Sequence, residues 1–260
     1  MSATNHDADS KRFQVWQLDA IAARPADSEF LAIGPFRVVL SNAAQPTSWV
    51  TLVEGAATKD ETAKATTKLR AALKRHKAPL EIEYNEAAFP QVGPWLEAAG
   101  LKLEERNPLM SLRPEAFKPF SAPGVELTRL TPTSKSIELQ SFQSIRWTSG
   151  GDNDVDAPPV ERLHIELANP TSVYLLAWLD WEPAGTGVSH ALKGAAEIVG
   201  VVTRAEVRRR GVAATVTSDL VTRAFAGGDD FVFLDAANDD AARVYERLGF
   251  TRFGANLVYR

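Results

Sequence analysis

The chain has 260 residues, 45% of them hydrophobic and 24% charged, with a formal net charge of −4 at pH 7. That is the composition of a soluble globular protein with room for two domains, and no apolar run reaches membrane-spanning length. The acidic balance argues against broad electrostatic capture of nucleic acid. The lack of cysteine excludes disulfides, thiolate zinc sites and a cysteine nucleophile.

Residues 1–12 are polar and charged with no apolar leader core, which predicts a frayed tail and, by default, a cytoplasmic protein. Ordered structure is expected from about Phe13. Short apolar runs at Phe30–Ile33, Phe36–Leu40 and Trp49–Val53, separated by Gly-Pro and by an Asn/Gln/Pro/Ser stretch, read as strands. From Asp60 to His76 the composition turns to Ala, Lys, Thr and Leu, with Leu69, Ala72 and Leu73 on one helical face. A strand over Pro79–Tyr84, a helix over Val92–Ala99 closed by Gly100, and a strand over Pro108–Leu112 follow. The prolines at 114, 119 and 123 mark a linker over Arg113–Gly124, which sets a first domain at 13–118 and a second at 124–260.

The second half begins with a strand over Val125–Leu130 and a helix over Thr133–Trp147. A Gly/Asp/Pro loop over Ser149–Pro159 leads to a helix at Val160–Ala168. A strand over Ser172–Trp181, a turn at Glu182–Gly187 and a strand over Val188–Leu192 lead through Lys193-Gly194 to a central strand, almost wholly apolar and β-branched from Ile198 to Thr203. After a basic turn, Val212, Val216, Leu220, Val221 and Phe225 form one helical face. Phe231–Leu234 is an apolar strand, Asn238–Leu248 a helix ended by Gly249, and Thr251–Tyr259 a closing strand or pair. The halves share a theme: Glu97-Ala98-Ala99-Gly100-Leu101 parallels Glu246-Arg247-Leu248-Gly249-Phe250. The first copy has the acids Glu54, Asp60 and Glu61 where the second has arginines, and Leu96 where the second has Tyr245, so it is expected to bind no phosphate.

The junction after the central strand carries the chemistry. A helix begins with unpartnered N–H groups and the positive end of its dipole, and here Arg208, Arg209, Arg210 and Gly211 stand beside that end. Alone, this is equally a solvated basic turn with a strain-relieving glycine. The G-x-G-x-x-G and G-x-x-x-x-G-K-[ST] patterns are absent. Arg208-x-x-Gly211-x-Ala213 resembles the R/Q-x-x-G-x-G/A signature of the GCN5-related N-acetyltransferases. Asn238-x-x-Ala241-x-x-x-Tyr245-x-x-Leu248-Gly249-Phe250 resembles their second signature, in the right order and at the right distance. The resemblance covers about Val125–Arg260 and faintly the first half. It implies an α/β fold, a mixed, mostly antiparallel sheet flanked by helices, with a degenerate N-terminal copy.

The resemblance also implies roles. Val201, Val202 and Thr203 pair with the pantetheine arm of acetyl-CoA like an added strand. Backbone N–H groups over Arg209, Arg210, Gly211, Val212, Ala213 and Ala214, beside Arg208, cradle the pyrophosphate. Asn238 contacts the cofactor arm, and Tyr245 is the acid that protonates the departing thiolate. Glu197, at the place of the family's base glutamate, is the candidate base; otherwise it is a strand-edge carboxylate or an arginine's partner. The loop Trp147–Asp156, with three aspartates, is placed at the acceptor wall. His164 and His190 are read as structural, and His6, His76, His164 and His190 lack metal-ligand spacing. The implied activity is acetyl-CoA-dependent transfer to a primary amine by direct attack in a ternary complex, without metal, membrane or nucleic acid. The alternatives are a catalytically silent acyl-CoA-binding module and a nucleic-acid binder using the three arginines.

Overall fold

The computed structural model describes residues 3–23, 28–41, 48–52, 58–148 and 160–260. Two units divide the chain: Met1–Leu109 with Ala236–Asp239 and Arg252–Arg260, and Met110–Asp235 with Asp240–Thr251.

The first unit opens with helix α1 (Ala3–Ala22), so residues 3–12 are helical rather than the frayed tail expected. Phe13 and Trp16, one turn apart, are buried and anchor it, and Ser10 accepts a 2.7 Å hydrogen bond from the Asn85 side chain. Strands β1 (Glu29–Ile33) and β2 (Phe36–Leu40) form a hairpin over Gly34-Pro35, and β2 pairs with β3 (Ser48–Leu52). Phe36, Val38 and Leu40 alternate inward along β2. Helix α2 (Lys59–His76) starts at a capping box in which Thr58 and Glu61 bond each other's backbone N–H. Its Leu69 and Leu73 join β2, β3 and β4 (Ile82–Asn85) in the core, as the periodicity predicts. Helix α3 (Val92–Ala98) ends before Gly100, and β5 (Leu103–Leu112) runs longer than predicted because its charged first half lies exposed. The chain passes between the units within β5. The last strand, β11 (Thr251–Tyr259), pairs antiparallel with β4 and brings Leu257 and Tyr259 into the first unit's core.

In the second unit β6 (Val125–Leu130), β7 (Ser172–Leu179), β8 (Glu182–Leu192) and β9 (Ala195–Thr203) are antiparallel neighbours, and β10 (Phe231–Asp235) lies parallel to β9. Helices α4 (Ser136–Thr148) and α5 (Val160–Leu167) bury Leu139, Phe142, Ile145 and Leu163 against Tyr174, Leu176 and Val188. Helix α6 (Val212–Ala226) packs on β8 and β9, and α7 (Asp239–Arg247) follows β10. The turn predicted at Glu182–Gly187 is instead strand. Gly185 and Gly187 are not turn glycines: a Cβ on either would collide with Val212 or Val216 of α6. The hairpin is closed two residues earlier by Asp180-Trp181, both at positive φ (53° and 66°). Residues 42–47 and 54–57 of the predicted turns, Val53 of the predicted strand and the predicted loop at 149–159 lie outside the described residues.

Candidate active site

Strand β9 positions the site through two departures from regular pairing. Its partner β10 matches it only from Ala195 to Ile198, opposite Phe231 to Leu234, whereas β9 runs on to Thr203. β10 ends at Asp235, so β9 runs on past its parallel partner at the carboxyl end, the end at which open α/β sheets take ligands. On the other edge the register with β8 slips between Val188↔Val199 and Thr186↔Val202, one extra residue on β9. Gly200 occupies this bulge at φ +59°, and its carbonyl accepts a 3.0 Å hydrogen bond from Thr186 Oγ1. Val201, Val202 and Thr203 are half-buried just beyond it. Thr203 Oγ1 is buried and has no hydrogen-bond partner among the described residues.

After a 3-10 turn at Ala205–Val207 the chain enters the arginine turn. Arg208, Arg209 and Arg210 are all exposed. Arg208 Nε reaches back 3.4 Å to the Thr203 carbonyl, and Arg210 pairs at 3.0 Å with Asp180 of the β7–β8 turn. Arg209 (φ +62°) and Gly211 (φ +83°) are both left-handed. Gly211 is the N-cap of α6 and offers no side chain to its N–H groups; the helix's first backbone bond runs from Thr215 to the Gly211 carbonyl. The N–H groups of Val212, Ala213 and Ala214 therefore precede the α-helical ladder and sit at the positive end of the dipole. Gly211 also cannot carry a Cβ, which would lie 2.6 Å from Ala122. The predicted linker packs there, with the Ala122 and Phe120 amides donating to Thr215 and Ser218 at 2.9 Å each. A cleft of about 580 Å³ lined by Ser141, Ser144, Pro183, Arg204 and Glu206 borders the start of the turn.

Tyr245 is 7% exposed on α7, its ring edge-on to Phe250 at 5.9 Å. Burial, and then the Asp235 carboxylate, push its phenol up to about 12. Glu197 is half-buried on β9, opposite His190 on β8 and Phe233 on β10. His190 Nδ1 lies 2.8 Å from Ser172 Oγ, and its ring meets Tyr174 edge-on at 6.2 Å. Tyr174 in turn faces Glu166, which Arg146 holds at 3.1 Å. Glu197, Val201–Thr203, the whole turn from Arg208 to Ala214, and Tyr245 all belong to the second unit. Asn238 immediately precedes α7 but groups with the first unit, where it lines a cleft of about 770 Å³ with Glu86, Glu104, Arg106 and Arg252. Sequence reasoning missed the bulge, although a lone glycine in an apolar strand is its signal, and missed the His190–Glu197 pairing. That pairing was countable: three residues back and three forward from the two-residue turn Lys193-Gly194. Most of the predicted acceptor loop, from Ser149 to Asp156, lies outside the described residues. Among the described residues no group of three metal-ligating side chains occurs, and no helix is long and apolar enough to cross a membrane.

Residues 139–250 match the model of the acetyltransferase (GNAT) family. Among solved structures the chain is similar to a GCN5-related N-acetyltransferase from Kribbella flavida, at 21% identity and a TM-score of 0.76 over 96% of this chain and 94% of that one. It is similar to one from Sphaerobacter thermophilus at 16% identity and TM-score 0.65, over 86% and 76%. A tandem GNAT protein from the clavulanic acid biosynthesis pathway matches at 12% identity and TM-score 0.60, over 100% and 96%. At these identities the likeness is one of fold, and the tandem neighbour fits a chain of two related halves. Among curated proteins none matches the sequence.

Proposed function

We propose, from the premise that residues 139–250 are a GNAT acetyltransferase domain, that the chain transfers the acetyl group of acetyl-CoA to a primary amine by direct attack in a ternary complex. The observation that carries this is the run of β9 past the end of its ladder with β10, before an arginine turn that opens α6 without a side-chain cap. A substrate of that shape has an amide-bearing arm, which fits an unpaired strand edge, and a pyrophosphate, which fits free N–H groups with guanidinium groups beside them. The orphaned Thr203 hydroxyl offers a further polar partner to the arm. Asn238 is assigned to the arm by its motif position.

Chemistry then needs little covalent help. Holding the thioester against the strand edge supplies orientation and a backbone donor for the developing oxyanion. The acceptor, an ammonium at pH 7, gives a proton to Glu197 before it attacks. As the C–S bond breaks, Tyr245, which holds its proton at neutral pH, protonates the leaving thiolate. The fold has no cysteine for an acyl-enzyme. The first half is proposed to bind no acetyl-CoA and to support the second.

The test is thiol release from acetyl-CoA with a panel of small amines and peptides, for the intact chain and for Tyr245→Phe. Release that requires an acceptor and falls in the variant supports the transferase. Calorimetric binding of acetyl-CoA without release by any acceptor would leave a binding module, and no binding at all would remove the pyrophosphate assignment.

A further inference from the structure

The turn Lys193-Gly194, with both residues at positive φ (50° and 81°), fixes the register of β8 on β9. Leu192 stands opposite Ala195, and His190 opposite Glu197. Directly opposed residues of antiparallel strands project from the same face, with Cβ atoms about 4.5–5.5 Å apart. The two side chains therefore leave the sheet side by side on one face. The other groups around the ring come from three further elements: Ser172 and Tyr174 from β7, Arg146 from α4 and Glu166 from α5. Ser172, 6% exposed, engages Nδ1, and that is the ring's only hydrogen bond among the described residues. Burial first, and then Arg146, hold the imidazole below its ordinary pKa. It is thus neutral at pH 7.

We propose that His190 is the proton-holding partner of Glu197 in amine activation, an assignment that rests on the acetyltransferase reading above. The acceptor ammonium gives one N–H proton to the Glu197 carboxylate, which passes it to the imidazole. The freed nitrogen lone pair forms the C–N bond at the thioester carbonyl, and the C–S bonding pair leaves on sulfur. The thiolate takes the Tyr245 proton, the second N–H proton lost on collapse of the intermediate returns to Tyr245 through solvent, and the proton on His190 is the one released per turnover. Passing the proton on leaves the Glu197 carboxylate ionised for the next acceptor. His190 does not touch the acceptor. It acts through Glu197 and is a positioning residue for the proton.

Three measurements decide the matter. His190→Gln keeps a polar partner for Ser172 but cannot titrate; kcat is expected to fall about 10–100-fold with the KM for acetyl-CoA unchanged. The acid limb of the kcat–pH profile, which in the intact chain lies below the ordinary histidine value, is expected to move to lower pH, where Glu197 alone sets it. By NMR, the His190 titration is expected to move to lower pH in Glu197→Gln, because a neighbouring carboxylate favours the imidazolium and the amide does not. An acid limb unmoved in His190→Gln, or a His190 titration unmoved by Glu197→Gln, overturns the proposal. If the intact chain releases no thiol with any acceptor, the transferase reading fails by itself, and the NMR comparison still upholds or refutes the pairing.

Discussion

At Gly211 two demands fall on one residue: a left-handed backbone and contact distance from Ala122. An alanine there meets a conformational cost of about 1–2 kcal/mol and a steric one besides. Gly211→Ala is expected to lower the free energy of urea unfolding by at least that amount and to weaken acetyl-CoA binding in calorimetry. Tyr245 responds to a different variable. Burial and the Asp235 carboxylate both favour its neutral form and raise its pKa to about 12. The phenol therefore stays protonated across the working range, and no alkaline fall in kcat is expected from it up to about pH 11. Asp235→Asn removes the repulsion, and ultraviolet titration of the phenolate is expected to show ionisation at lower pH.

Among the elements, α2 shows how a short local motif carries a helix. Its Thr58–Glu61 box satisfies two otherwise unpartnered donors, and Thr58→Ala is expected to cost about 1 kcal/mol in denaturant unfolding. That helix, α6, α7 and the strand β9 were legible in the sequence because their signals are local: periodicity, caps and a β-branched run. The basic turn was legible as well, since Arg208-x-x-Gly211 stands in a fixed place between a strand and a helix. The rest depended on partners distant in sequence. Gly185 and Gly187 look like turn residues until Val212 and Val216 are packed against them. The charged first half of β5 has no apolar alternation to announce a strand. Nothing in Phe253 or Leu257 says which strand β11 will pair with, and α1 was hidden because polar residues surround its two aromatic anchors. The side chains opposite Glu197 followed from turn counting, but only once Lys193-Gly194 was known to be a two-residue turn.

Across the whole molecule, sequence order and spatial grouping disagree. The linear division at 13–118 and 124–260 separates the halves of the sequence repeat, whereas residues 252–260 belong to the first unit. Leu257 and Tyr259 are 4% and 2% exposed there, with Tyr259 stacked on Tyr84 at 6.1 Å. Removing residues 252–260 is therefore expected to destabilise the first unit selectively, seen as early proteolytic cuts within residues 28–109. Removing residues 1–115 tests the supporting role of the first half: a soluble, fully active remainder would refute it. The returning strand also sets a timetable. At about 5–20 residues per second, on the order of ten seconds separate the synthesis of Leu112 from that of Thr251. Through that interval the nascent first unit waits on the ribosome with the edge of β4 uncovered, so the half made earlier is the half finished last.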